Sequence, residues 1–147
     1  MDLKLKNLFT VIATEAVAES CEFYAKYFGF EIAFEADWYV QLHGQRDDGG
    51  SPLELAFMRP DAEALPPSLQ HACDGKGIFI TIEVEDVDSV HERFRNDEYE
   101  MVYELRDEAW GQRHFIVRDP SGSLLDIVMR IPPSEEYRAA YLINEST

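Results

Sequence analysis

The feature that most limits what this chain can fold into is an internal repeat. Residues 8–14 (LFTVIAT) form an apolar run of strand length. The stretch AVAESCEFYAKYFGF follows, with Val17, Cys21, Tyr24 and Phe28 on one helical face. Gly29 stands where a helix C-cap belongs, and FEIAFEAD and WYVQLHG read as two strands about a turn at Ala36-Asp37. The polar, glycine-bearing QRDDGGS is a loop, and LELAFMR is a fourth strand. The order is therefore β-α-β-β-β. It recurs as GIFITIEVED, then VDSVHERFRND with Val87, Val90 and Phe94 on one face, then YEMVYELRD, QRHFIVRD and SLLDIVMR. Val17 aligns with Val87 and Glu22 with Glu92 at a shift of 70, and Leu53-Glu54-Leu55 with Leu125-Asp126-Ile127 at a shift of 72.

These spacings predict one domain over residues 1–147, with a first βαβββ module at 7–59 and a second at 77–130. Between them, 60–76 is rich in Pro and small residues and reads as a linker. The tail at 131–147 has room for a short helix after Pro133, with Ser134 as its N-cap. The expected class is α+β: two tandem modules whose curved mixed sheets surround a cleft, each sheet giving one face to its helix. Strand alternation assigns the faces. Ile78, Ile80, Ile82 and Val84 belong under the second helix, as do Leu125 and Ile127. Phe79, Thr81 and Glu83 then face the cleft with Leu124, Asp126 and Val128, and by the repeat so do Phe9, Val11, Ala13, Glu54 and Ala56. Glu54 and Asp126 are thus read as equivalent, cleft-facing acids.

Charge excludes some partners. With 13 Lys+Arg against 29 Asp+Glu the formal net charge is −16. A chain so acidic is repelled by phosphate backbones and by anionic lipid, so neither nucleic acid nor a membrane is an expected partner. At 46% hydrophobic and 12% aromatic the composition is that of a folded domain. No apolar run reaches the roughly 18 residues of a membrane span, and the start MDLKLKNLF lacks the pattern of a signal peptide, so a cytoplasmic address is expected. Cys21 and Cys73 belong to no CxxC or CxxH pattern and read as reduced thiols. His43 and His71 lie in or beside loops, His91 on a helix and His114 on a strand, and none is read as a ligand.

Two stretches carry a family resemblance. AVAESCEFYAKYFGFEI is similar to the S-x-x-FY-x-x-x-LGF opening of the vicinal oxygen chelate superfamily, and WGQRHFIVRDPSGSLLDIV to its WG-x-x-x-F-x-x-x-DP-x-G-N-x-x-E ending. Glyoxalases, bleomycin resistance proteins and extradiol dioxygenases belong to that superfamily, and the resemblance covers residues 8–130. The DPSG turn also has a plain physical reading: Asp119 caps it, Pro120 presets φ and Gly122 accepts a positive φ. Metal-dependent members place ligands at positions that fall here on Phe9, Glu54, Phe79 and Asp126. Two phenylalanines cannot ligate, and a catalytic metal needs about three protein donors, so Glu54 and Asp126 are only weak metal candidates and no cofactor is expected.

What remains is a cleft expected to carry Phe9, Trp38, Tyr39, Phe57, Phe79, Tyr103 and Trp110, with Glu54, Glu83 and Asp126 among them. Carboxylates among ring faces suit an organic cation or a flat aromatic molecule. The pattern is most similar to that of the metal-free, bleomycin-resistance-like members, and the resemblance implies a metal-independent, homodimeric protein that sequesters a small cationic or aromatic ligand. The alternative is an enzyme of the same fold, a lyase, isomerase or dioxygenase, using a divalent metal or the paired acids Glu54 and Asp126.

Overall fold

The first apolar run yields only a short strand, β1 (Thr10–Ala13), because Thr14 turns the chain: its hydroxyl accepts the Ala16 N–H at 3.0 Å. Helix α1 (Val17–Phe28) follows, with Glu19 in its first turn and Lys26 in its last, each complementing the helix dipole. Gly29 ends it in the left-handed region at φ 69°, its N–H on the Ala25 carbonyl at 3.1 Å. Strands β2 (Glu31–Ala36), β3 (Tyr39–Gly44) and β4 (Leu53–Met58) complete the first module. The second repeats the order with β5 (Phe79–Glu83), α2 (Val87–Asn96), β6 (Tyr103–Glu108), β7 (Gln112–Arg118) and β8 (Leu124–Arg130). A 3-10 turn at Pro67–Leu69 interrupts the connection, and a short α3 (Glu135–Arg138) follows Ser134. The computed structural model describes residues 3–143; the first two residues, and the last four of the tail expected at 131–147, lie outside the described residues.

The architecture is the two-module βαβββ fold of the α+β class. Each module has its own four-stranded mixed sheet, ordered β1-β4-β3-β2 and β5-β8-β7-β6, with the first strand parallel to the last and the other pairs antiparallel. Two compact units result: residues up to 76 together with the turn Asp119–Gly122, and residues 77–118 with those from 123 onward.

In the first unit α1 lays Cys21, Tyr24 and Tyr27 over a sheet face made of Ile12, Val40, Leu42, Leu55 and Phe57, all buried. The Tyr24 ring sits 5.6 Å from that of Phe57, and its hydroxyl donates to Asp119 Oδ2 at 2.7 Å. Asp119 Oδ1 takes the Ser121 N–H at 2.9 Å, and Gly122 has φ 86°, so the turn closes as its residues dictate.

In the second unit Val87 and Phe94 of α2 are fully buried over Phe115, Val117, Leu125 and Ile127. Phe94 meets Phe115 edge to face at 5.6 Å. Arg113, on the same face, bonds Asp88 of α2 at 2.8 Å and Asp107 of β6 at 2.9 Å, which holds the Asp88 carboxyl below its ordinary range. Asp86 caps α2 by accepting the Ser89 N–H at 3.2 Å, and bonds to the Ser89 hydroxyl and N–H depress its carboxyl too. A group with a depressed pKa in the fold stabilises above its unfolded pKa and ceases to as the pH falls through the folded one. Asp86→Ala is therefore expected to lower the thermal midpoint at pH 7. The deficit should shrink as the pH falls through the depressed range of the folded Asp86 carboxyl.

Bulges decide the faces of two strands. In β2 the register slips between Ile32 and Phe34, so Ile32 lies level with Leu42 on the helix side while Phe34 lies level with Gln41 on the other. In β6 a slip between Tyr103 and Arg106 places both on the helix-free side, level with Ile116 and His114. No helix among the described residues is long and apolar enough to cross a membrane.

Candidate functional site

The helix-free face of the second sheet gathers the chemistry. Counting along the register, β5 contributes Phe79, Thr81 and Glu83, β8 contributes Leu124, Asp126 and Val128, β7 contributes Gln112, His114 and Ile116, and β6 contributes Tyr103, Arg106 and Glu108. At the centre His114, only 5% exposed, directs Nδ1 to Asp126 Oδ1 at 2.7 Å. A carboxylate only accepts, so Nδ1–H donates and the ring is fixed with Nε2 on the far side. That Nε2 is 3.9 Å from Glu108 Oε2 and has no hydrogen-bond partner among the described residues. Tyr103 and Trp110 flank the imidazole, with ring centroids at 5.7 and 6.2 Å.

The flanking groups are themselves held. Trp110 Nε1 donates to Gln112 Oε1 at 2.9 Å, Tyr137 of α3 packs edge-on to the indole at 6.5 Å, and the Tyr141 hydroxyl bonds the Trp110 carbonyl. Arg106 pairs with Glu108 at 2.5 Å and lies over the Tyr103 ring at 5.2 Å. Glu83 is neutralised by Arg130 at 2.8 Å, and Phe79 is 55% exposed on the edge strand.

The first sheet carries a related but different network. On its helix-free face Glu54 Oε1 accepts from Gln41 Nε2 at 3.1 Å and meets His43 Nε2 at 2.8 Å, while the Tyr39 hydroxyl bonds Gln41 Oε1. Burial and then the Glu54 charge push the Tyr39 phenol above its usual range. Phe34 and Trp38 stand beside Tyr39 at 6.1 and 5.5 Å, and Phe9 is exposed just before β1.

The structure thus brings Tyr103, Trp110 and Asp126 together around His114, and Trp38 near the Glu54 network, with Phe9, Phe79 and Glu83 on or beside the edge strands. Three expectations are corrected. Phe57 is no ligand contact: it is 0% exposed on the helix side, because it has the parity of Leu55 and not that of Glu54 and Ala56. Glu54 and Asp126 are not equivalent. Thr10 pairs with Leu55 and Ile80 with Leu125, so the counterpart of Asp126 is Ala56 and that of Glu54 is Leu124. Ile78, expected under the second helix, precedes β5 and is 51% exposed. Two histidines, neither of them read as a ligand, carry the networks: His114 centres the second face, and His43 is a β3 residue bound to Glu54. Counting outward from the Asp119–Gly122 turn would have placed His114 on the face of Asp126, one pleat away, and that signal was in the sequence.

The family model for the Glyoxalase/Bleomycin resistance protein/Dioxygenase superfamily matches residues 8–127. The chain belongs to this superfamily. Solved structures agree on the fold. A glyoxalase/bleomycin resistance protein/dioxygenase from Nocardioides superposes with a TM-score of 0.67 at 17% identity, covering 89% of this chain and 87% of its own. Lactoylglutathione lyase from Agrobacterium tumefaciens gives 0.65 at 19%, covering 87% and 96%. TioX from Micromonospora sp. ML1 gives 0.59 at 21%, covering 86% and 99%. At these identities the likeness concerns the fold and not the chemistry. No curated protein matches the chain.

The residues present do not fit the metal centre of the superfamily's metal-dependent members. Phe9 precedes the strand that pairs with Glu54's strand, and the residue level with Asp126 on β5 is Thr81, with Phe79 one pleat away. Among the described residues no group of three His, Cys, Asp or Glu side chains is disposed to hold a metal ion.

Proposed function

We propose that this member of the superfamily binds and sequesters an aromatic organic cation on the helix-free face of its second sheet, without a metal. The observation that carries the reading is the Asp126–His114 pair with the Tyr103 and Trp110 rings packed near the imidazole. Asp126 spends Oδ1 on His114 and keeps Oδ2 for a ligand cation. The two rings add stacking and cation–π attraction worth about 0.5–2 kcal/mol each once water is excluded. The Trp110 ring is held by Gln112 and Tyr137 and its backbone carbonyl by Tyr141, which orders it before a ligand arrives and lowers the entropy cost of binding. The net charge of −16 raises the local concentration of cations and speeds their encounter.

Calorimetric titration with bleomycin and with ethidium, both cationic and aromatic, tests the reading. Binding below millimolar concentration is expected for at least one of them, weakened about tenfold, or 1.4 kcal/mol, by Asp126→Asn. Absence of binding by both up to 1 mM, or binding that Asp126→Asn leaves unchanged, would overturn it.

The reading includes a homodimer, the commonest closed oligomer. Phe9, Val11, Ile78 and Phe79 expose apolar side chains along or beside the edge strands β1 and β5, surface that a second chain would cover. Light scattering should return twice the chain mass of 16.9 kDa; a mass of one chain at micromolar concentration would remove the dimer from the proposal.

A further inference from the structure

The helix side of the first sheet holds a second concavity. Helix α1 packs on β3 and β4 and leaves the edge strand β2 uncovered, so a groove of about 640 Å3 runs between α1 and β2. Its floor is apolar: Ile32, Val40 and Leu42 from the strands and Cys21 from the helix. The β2 bulge creates this floor, since it turns Ile32 inward where unbroken alternation would have paired it with Phe34. Ala18 and Ala25, one helical face apart by two turns, form the α1 wall and keep it shallow.

The rim is strongly one-signed. Glu15, Glu19, Glu22, Glu35 and Asp37 line it against a single base, Arg59, and that guanidinium is already paired with Asp61 at 3.1 Å. Cys21 registers the field from the floor. Its thiol is free and 7% exposed, and burial, then the charges of Glu35 and Glu22, push it up to about 11, so it stays neutral near pH 7.

We propose that this groove is a binding site for a lipophilic organic cation of small-molecule size, separate from the helix-free face. Three alternatives fit less well. An anion meets five carboxylates. A second copy seated face to face would set the same five carboxylates against these. A protein partner of either kind needs about 800 Å2 of surface per side, whereas the volume here lies within the roughly 300–1,000 Å3 of small-molecule pockets. A lipophilic cation satisfies both halves of the site, placing hydrocarbon on the Ile32–Leu42 floor and charge among the Glu22, Glu35 and Glu19 carboxylates. Because the floor residues and Asp126 lie in different sheets, and the floor faces α1, the two sites can be emptied independently.

Titration with tetrabutylammonium, a globular lipophilic cation without rings, at low salt tests the proposal on the full chain. Submillimolar binding is expected for the parent. Ala25→Trp and Ala18→Trp, at exposed helix positions and checked for folding by circular dichroism, should each weaken it at least about tenfold by filling the groove. Glu22→Gln with Glu35→Gln should weaken it about fivefold and flatten its salt dependence. Asp126→Asn should leave it unchanged. No binding up to 5 mM tetrabutylammonium, or full binding by the groove-filled variants, would overturn the groove. Loss in Asp126→Asn alone would overturn it as well, by moving the cation to the helix-free face, whereas failure of bleomycin and ethidium to bind would leave it standing.

Discussion

Replacing Phe57 by alanine is expected to destabilise the protein by about 3–5 kcal/mol, the usual cost of emptying an aromatic from a closed core. Phe57 is 0% exposed, level with Ile12 on one side and Val40 on the other, and roofed by the Tyr24 ring at 5.6 Å. None of these neighbours can collapse into the void without moving α1 off the sheet. Phe34 is the control. It is a phenylalanine in a strand as well, yet 56% exposed, and Phe34→Ala should change stability by less than about 0.5 kcal/mol. Urea unfolding of the two variants separates them. Equal effects would mean that the face assignment of one sheet is wrong.

The second large effect belongs to His114. Removing its imidazole leaves the Asp126 carboxylate, a side chain 15% exposed, without its Nδ1–H donor, while Glu108 keeps Arg106. Stranding a largely buried charge costs about 3–5 kcal/mol, and the partial exposure of Asp126 argues for the lower end, so His114→Ala is expected to cost about 3 kcal/mol. His114→Asn, which can still donate to one carboxylate, should recover part of it. Unfolding measured at pH 7 for both variants checks this. A loss below about 0.5 kcal/mol for His114→Ala would show that the histidine does not hold Asp126, since ordinary surface substitutions fall in that range.

Much of the fold was legible. The repeat, both helices, eight strands, the Gly29 cap, the Asp119 turn and the Ser134 boundary follow from periodicity and punctuation, because each depends on residues close in sequence. The faces within β4, β5 and β8 were legible for the same reason, as strict alternation needs no knowledge of the partner strand, but alternation could not show that β5 starts at Phe79 and leaves Ile78 exposed. The site was legible only in part. Asp126, Tyr103 and Trp110 were on the candidate set, but the residue that ties them together is His114, whose importance arises from a cross-strand register and not from any local pattern. Bulges are a second source of error. Nothing in EIAFEA or YELRDE announces which residue steps out of the ladder, yet those slips decide where Phe34 and Tyr103 point. Phe57 was misplaced for a different reason: its aromatic character suggested a ligand contact although the alternation that turned Glu54 outward already turned Phe57 inward.

Methyl-resolved NMR during titration with bleomycin and with ethidium tests ligand binding on the second sheet most directly, because neighbouring residues of β7 and β8 point to opposite faces. Ile116 and Val128 lie on the helix-free face beside Asp126 and His114, while Val117 and Ile127 lie under α2. Expected are early, saturating shifts of the Ile116 and Val128 methyls with Val117 and Ile127 nearly still. Shifts confined to Val117 and Ile127, or no shift at any of the four with either compound at 1 mM, would contradict binding at the Asp126–His114 face.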